Sequence, residues 1–556
     1  MRAVSLAVLL AAIPAMTAAE GPVGPTGWRS FCIADGADVS GGAPQSPSID
    51  KVGILPGFGT GGFRVTTDSK DAQAWFDQGM RLAHAFNHAE ATDAFKESEK
   101  QDPTCAMCAW GEAWSRGPTI NFGISADDMK AAAAVADKAV VLAKTGPERE
   151  RLLADAVAKR YHDTAGKGSG DKAFAEAMDK VADRYPDDSE IAILTADAHL
   201  IRASLYNDKS GLQRAINLLE GVLRARPDDT GAIHFYIHAT EFAGLPAKAE
   251  PYADKLGTLA PSAGHLVHMP SHTFFWVGRY ADAAQANVKA VAVDDAHLAK
   301  MGLPPDNFRR SYHGHNVHFG IGGAMMSGEG ADALKLADTF LAVQKTLKPD
   351  EGWLQVSTSS GYYAYARYGS GPDAIPAPPA DRPYANLMYH YARGEAFARK
   401  GDLASARREL GLMSTRGGAF KAFGGMAGTA DMLAEIARQV LDGRIALAAG
   451  DFRTADRDFR KAWSLQAKVS DSADPPLWWY PVRRSVAAVA LAQGRNADAA
   501  KEAAASLAAW PNDPIALKLK AEAERRLGQT ADADRDLAQA RKGWKGDLAA
   551  YDLKGA

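Results

Sequence analysis

The segment 74–103, AWFDQGMRLAHAFNHAEATDAFKESEKQDP, decides the fold of this chain. It matches positions 4, 8, 20, 24 and 32 of a 34-residue helix–turn–helix repeat with Trp75, Gly79, Ala91, Phe95 and Pro103. Small residues at such positions let two helices cross closely, and a proline ends the second helix. The segment therefore predicts one helical hairpin of a repeat protein.

The same frame recurs along the chain as a turn glycine followed five residues later by an alanine of the second helix. The pairs are Gly278 and Ala283, Gly328 and Ala333, Gly401 and Ala406, Gly450 and Ala455, Gly494 and Ala499, and Gly528 and Ala533. This is the tetratricopeptide-repeat (TPR) pattern, in which each hairpin buries its apolar face on its neighbours. It predicts an all-α protein, an α-solenoid of TPR hairpins in two arrays.

Composition changes divide the chain into five predicted parts. Residues 1–19 have Arg2, an apolar stretch and a small-residue cleavage site, so they predict a signal peptide and a periplasmic or secreted protein. An extended arm or linker (20–70), an N-terminal array (71–350), a Gly- and Pro-rich break (351–382) and a C-terminal array (383–548) follow. No later run is apolar enough to predict a transmembrane segment.

Several function classes find no support in the sequence. The formal net charge of -3 gives no reason to expect nucleic acid as a partner. HExxH, GxSxG, Walker and dinucleotide-binding motifs are absent. Cys105 and Cys108 form a CxxC that Ala109 follows, which excludes covalent haem attachment and leaves a local disulfide, a redox pair or two ordinary helix residues.

Histidines are concentrated in the middle of the chain. Nine of the 14 fall between residues 234 and 318: His234, His238, His265, His268, His272, His297, His313, His315 and His318. The repeat frame puts His234, His238 and Glu241 at positions 5, 9 and 12 of one first helix, and His265, His268 and His272 at positions 2, 5 and 9 of the next. His315 and His318 take positions 2 and 5 of a third, after an insertion.

Residues three and four apart share a helix face, and first helices line the concave groove of a TPR array. Two histidine pairs, His234 with His268 and His238 with His272, are one repeat of 34 residues apart. Stacked repeats would bring them side by side. We therefore predict that transition-metal ligands are supplied by His234, His238, His268, His272, His315 and His318.

The donor set favours copper or zinc, with iron as a further candidate, and six imidazoles could serve two ions. Glu241 is predicted as a carboxylate ligand or a general base, and the protein as a metal-dependent oxidoreductase or hydrolase. Two alternatives stay open. The groove could instead bind a peptide, a partner protein or a small molecule, because TPR arrays use this surface for recognition, or the histidines could be structural.

Three further motifs, FNHAEA (86–91), GHLVHMPSH (264–272) and WYPVRR (479–484), resemble segments of a broad family of bacterial exported TPR proteins. The resemblance covers nearly the whole chain after the signal peptide. It implies the TPR fold and no settled reaction. One departure is the segment 201–206, IRASLY, where such proteins carry a tryptophan-rich stretch, so the substrate they share does not transfer to this chain.

Overall fold

The computed structural model describes residues 52–163, 165–302, 312–413, 418–470 and 475–556. The predicted signal peptide and most of the predicted arm lie outside these residues. The described residues form α-helices and short 3₁₀ helices and no β-strand, which confirms the all-α prediction. Among them, no helix has the length and apolar character needed to cross a membrane.

The helices that precede the predicted break are α1 (Lys70–His84), α2 (His88–Gln101), α3 (Ala106–Ser115), α4 (Ala126–Ala143), α5 (Glu148–His162), α6 (Ser169–Arg184), α7 (Ser189–Tyr206), α8 (Leu212–Ala225), α9 (Thr230–Phe242), α10 (Glu250–Leu259), α11 (Gly264–His268), α12 (Pro270–Trp276), α13 (Tyr280–Lys300), α14 (His313–Ser327) and α15 (Gly330–Val343). The remaining helices are α16 (Gly352–Thr358), α17 (Gly361–Tyr368), α18 (Pro383–Arg399), α19 (Leu403–Leu412), α20 (Ala427–Ala449), α21 (Phe452–Ser470), α22 (Arg483–Ala492), α23 (Asn496–Ala509), α24 (Pro514–Arg526) and α25 (Thr530–Gly543).

Most helices pack mainly on a helix directly before or after them in the chain, as the α-solenoid prediction requires. All six predicted turn glycines have a left-handed φ between 73° and 81°, a conformation that side chains with a Cβ rarely adopt. The first hairpin shows the predicted close crossing, because a Cβ on Gly79 would lie 2.7 Å from the ring of Phe95. The repeat frame read from the sequence is thus the frame of the fold.

The segment 351–382, predicted as a break, contains the short helices α16 and α17. Buried residues of these helices, including Tyr362 and Tyr363, belong to the same apolar core as the helices before and after them. The chain on either side is also in direct contact, since the Tyr280 hydroxyl donates to the Pro511 carbonyl at 3.0 Å. The division into two arrays stays a prediction.

The solenoid curls so tightly that its first hairpin reaches its fifth. Helix α1 contacts α9. Phe86 lies in the turn after α1, and the centroid of its ring is 4.3 Å from that of the His234 ring. Phe86 has a φ of 58°, the conformation that glycine supplies at the other turns. The surface predicted as a concave groove is therefore covered at this point by α1 and its turn.

The glycine-rich segment 57–62 of the arm lies against the first helices of the hairpins. Thr60 and Thr230 each donate a backbone N–H to the hydroxyl of the other, at 2.8 and 2.9 Å, and the Ser262 N–H donates to the Gly57 carbonyl at 2.9 Å. A Cβ on Gly59 would lie 2.3 Å from the Thr230 hydroxyl oxygen. Glycine is needed here because the arm's backbone approaches the helices closely.

Cys105 and Cys108 are joined by a disulfide at the start of α3. Both residues are buried, at 1% and 0% exposure. Of the alternatives left open by the sequence, the structure has the local disulfide.

Candidate metal centre

Seven groups that could bind a metal lie together in the interior of the curled solenoid. Helix α9 supplies His234, His238 and Glu241; α11 and α12 supply His265, His268 and His272; α14 supplies His315. All of them are buried except His315, which is partly exposed. The six imidazoles among them form two sets of three. We call these the first triad (His268, His272 and His315) and the second triad (His234, His238 and His265).

The first triad brings three Nε2 atoms together. The Nε2 atom of His268 lies 2.9 Å from that of His272 and 3.0 Å from that of His315. Two nitrogen ligands of a tetrahedral ion with metal–nitrogen bonds of about 2.05 Å lie roughly 3.3 Å apart. Outward shifts of a few tenths of an ångström would therefore fit the three nitrogens to one ion.

The hydrogen bonds of His268 fix its tautomer. Its Nδ1 lies 2.6 Å from the Asn287 Oδ1, and the Asn287 Nδ2 donates to the Ala283 carbonyl at 2.7 Å. Because the Ala283 carbonyl can only accept a hydrogen bond, the Asn287 atom that faces it must be Nδ2. The other amide atom of Asn287 is then Oδ1, and it accepts a hydrogen bond from the Nδ1–H of His268. The Nε2 atom of His268 is then unprotonated, with its lone pair directed at His272.

His272 is oriented in the same way by a carboxylate. Its Nδ1 lies 3.1 Å from each oxygen of Glu241, which is 3% exposed, so Nδ1 carries a proton and, in the neutral ring, Nε2 presents its lone pair. A carboxylate behind a histidine is a common arrangement in metal sites, where it fixes the ring and makes the ligand nitrogen more basic. Glu241 also lies 3.7 Å from the Nδ1 of His238.

Burial keeps three of these imidazoles neutral. Removal from water lowers the pKa of His234, His265 and His268 well below its usual value, and the neighbouring imidazoles lower the pKa further. Neutral imidazole is the form that binds a metal. The unprotonated ring nitrogens of the cluster are therefore suited to bind a metal ion.

Five of the six predicted ligands lie in the two triads, and His265 takes the place of the sixth, His318. His318 points toward α15, with its ring 6.4 Å from that of Phe340, and it belongs to neither triad. His265, which the sequence analysis placed on the groove face without choosing it as a ligand, belongs to the second triad. On α14 the cluster is instead contacted by His315 and Phe319, which are four residues apart; the Phe319 ring is 5.1 Å from that of His268.

Sequence reasoning missed three residues that contact the ligands. Asn287, on α13, supports His268; Phe86 and Tyr312 both contact the ring of His265, with ring-centroid distances of 4.9 and 4.2 Å. The Tyr312 hydroxyl accepts a hydrogen bond from Asn121 at 2.9 Å. The left-handed turn position of Phe86, where the repeat normally has glycine, was the one available signal.

The fold and site together define an α-solenoid with a buried polyhistidine cluster. Neither a protein-family model nor a curated protein sequence matches the chain. Among solved structures, the human IFIT1 dimer with m7Gppp-AAAA is 13% identical, with 88% of this chain and 92% of that chain covered and a TM-score of 0.30. The APC/C hetero-tetramer Cut9–Hcn1 is 12% identical, with coverages of 87% and 88% and a TM-score of 0.26. At such values neither structure informs the function.

Proposed function

We propose that this protein is an exported metalloprotein that binds a transition-metal ion, copper or zinc, at the first triad. The observation that supports this most is the contact between the Nε2 atoms of His268 and His272. Asn287 and Glu241 keep the proton of each ring on Nδ1, so two nitrogen lone pairs face each other at 2.9 Å. Such a contact is repulsive unless a cation lies between them.

The donor chemistry narrows the choice of ion. Three imidazoles, with no oxygen ligand required, favour zinc, copper or iron over calcium and magnesium. A metal held by three histidines keeps a coordination position for water or a small ligand, which is the arrangement of catalytic rather than structural zinc sites. A Lewis-acidic or redox reaction at that position is the activity that we propose, with Glu241 orienting His272.

Burial argues against direct recognition of a peptide by these histidines. His268 and His272 are 0% and 1% exposed, and the arm and α1 cover the groove beside them. A peptide therefore has no direct access to the ring nitrogens of these two histidines. Export is supported by the signal-like residues 1–19 and by the disulfide, since disulfides persist mainly in oxidising compartments.

Elemental analysis of the purified chain tests the proposal. We expect zinc or copper at one equivalent or more after reconstitution, and loss of the ion from the first triad in the double variant His268→Ala/His272→Ala. The matched control, His162→Ala/His390→Ala, removes two histidines elsewhere and should keep the wild-type metal content. Less than about a tenth of an equivalent in the reconstituted wild type would refute the proposal.

A further inference from the structure

We infer that the second triad binds a second transition-metal ion next to the first, so that the cluster is a dinuclear centre. The inference rests on the proposed function, because the second ion is placed beside the first. It adds His265 as a ligand and assigns no metal to His318.

The backbone of α1 fixes the tautomer of His234. Its Nδ1 lies 2.6 Å from the carbonyl oxygen of His84, which can only accept, so Nδ1 carries the proton and Nε2 carries the lone pair. That Nε2 is buried and has no hydrogen-bond partner among the described residues. The curling of the solenoid, which brings α1 onto α9, thus prepares a third histidine as an Nε2 ligand.

His265 has no such support from a hydrogen bond to either ring nitrogen. The ring is 4% exposed, and neither nitrogen has a hydrogen-bond partner in the described part of the chain. Leaving a buried polar group unpaired destabilises the folded state. The ring contacts the aromatic rings of Phe86 and Tyr312 and lies edge-to-face with the ring of His234, at a centroid distance of 5.0 Å. An ion would satisfy it.

The two triads meet at one carboxylate. A ligand atom from each of His238, Glu241 and His272 lies within 4.8 Å of the others, and Glu241 contacts His272 of the first triad and His238 of the second. Rings of the two triads also stand 5.2 Å apart, centroid to centroid, for His238 and His272. Two ions at the triads would therefore be close neighbours, as in dinuclear metalloenzymes.

Zinc titration of the metal-free chain, followed by calorimetry and elemental analysis, tests this inference. We expect two equivalents of bound zinc per chain for the wild type and for His318→Ala. For His265→Ala and for His234→Ala we expect one equivalent. One equivalent in the wild type that His265→Ala leaves unchanged would overturn the second site while leaving the first. No binding in the wild type would refute both proposals.

A measurement on the unaltered chain guards against variants that do not fold. After loading with Cu²⁺, two ions at adjacent triads would couple magnetically, so the paramagnetic resonance signal should be broadened and should account for less than the copper that elemental analysis finds. A narrow signal that accounts for all of the copper, from uncoupled ions, would overturn the dinuclear centre.

Discussion

At the scale of single residues, the metal site depends on the groups behind the ligands as much as on the ligands. Asn287, Glu241 and the His84 carbonyl each accept a hydrogen bond from the Nδ1–H of one histidine. They come from three different helices. Each turns a ring that could present either nitrogen into one that presents Nε2.

Replacement of Asn287 tests this role. In Asn287→Ala the Nδ1 of His268 loses its acceptor, so zinc affinity at the first triad should fall about 10- to 100-fold. Competition with a chromophoric chelator measures it. The matched control is Gln344→Ala, which removes another buried amide, one that donates to Thr358. Equal affinities in the wild type and Asn287→Ala would show that the tautomer of His268 does not matter.

The histidines of α14 provide a second test with matched residues. His315→Ala removes a ligand and should lower zinc affinity by more than tenfold, whereas His318→Ala should leave the affinity unchanged because its ring faces Phe340. Isothermal titration of both variants measures the difference. If His318→Ala lost the metal and His315→Ala kept it, the ligand assignment would be wrong.

Asp197 predicts a pH dependence that is separate from the metal ligands. Burial raises the pKa of this carboxyl, which lies beside a small cavity lined by Phe86 and His88, to about 7. The folded state therefore binds the proton more tightly than the unfolded state does, and this contribution to stability is lost as pH rises from about 4 to about 7.

Asp197→Asn should remove that loss and raise the free energy of unfolding at pH 8 by up to about 4 kcal/mol. Thermal melts of the wild type and the variant at pH 5 and pH 8 measure it. Asp187→Asn, at an exposed position, serves as the control. A stability difference between wild type and Asp197→Asn that is the same at both pH values would contradict the shifted pKa.

At the scale of elements, the arm and α1 close the surface over the histidines. Residues 57–62 lie along the first helices, and glycines take the positions of closest approach. Two glycines of the arm allow a controlled comparison. Gly53 and Gly59 both have a left-handed φ, 77° and 84°, but a Cβ on Gly53 would contact nothing within 4 Å.

Gly53→Ala should therefore cost only the backbone strain, about 1–2 kcal/mol. Gly59→Ala adds overlap with Thr230, for roughly 1–3 kcal/mol more, and should release the arm. Melting temperature and proteolytic cleavage within residues 52–66 measure both effects. The docking of the arm would be contradicted if the two variants melted alike and were cleaved at the same rate.

At the scale of the whole molecule, the sequence predicts the repeat and not its curvature. The turn glycines, the close contact of Gly79 with Phe95 and the 34-residue spacing of the histidine pairs depend on contacts within a hairpin or between neighbours. The contact of α1 with α9 instead depends on small rotations summed over four repeats. The covering by Phe86 and the hydrogen bond from His234 to His84 follow from that sum.

The same reasoning explains why the sequence predicts His318 as a ligand although it lies outside the two triads, which contain His265 instead. Positions three apart on a helix differ in direction by about 60°, so the repeat frame places both His315 and His318 near the groove face. Which of them meets His268 depends on how α14 is rotated against α12 and α15. Asn287 carried no signal at all, because it is on a second helix and its role exists only once α13 has packed on α11.

The most direct test of the central claim is anomalous X-ray scattering at the zinc or copper edge from crystals of the metal-loaded protein. We predict an anomalous peak at about 2.0–2.1 Å from the Nε2 atoms of His268, His272 and His315. The Nδ1 atoms of His268 and His272 should remain hydrogen-bonded to Asn287 and Glu241, respectively. Loaded crystals with no peak at the first triad, and with the three nitrogens still in mutual contact, would contradict the claim.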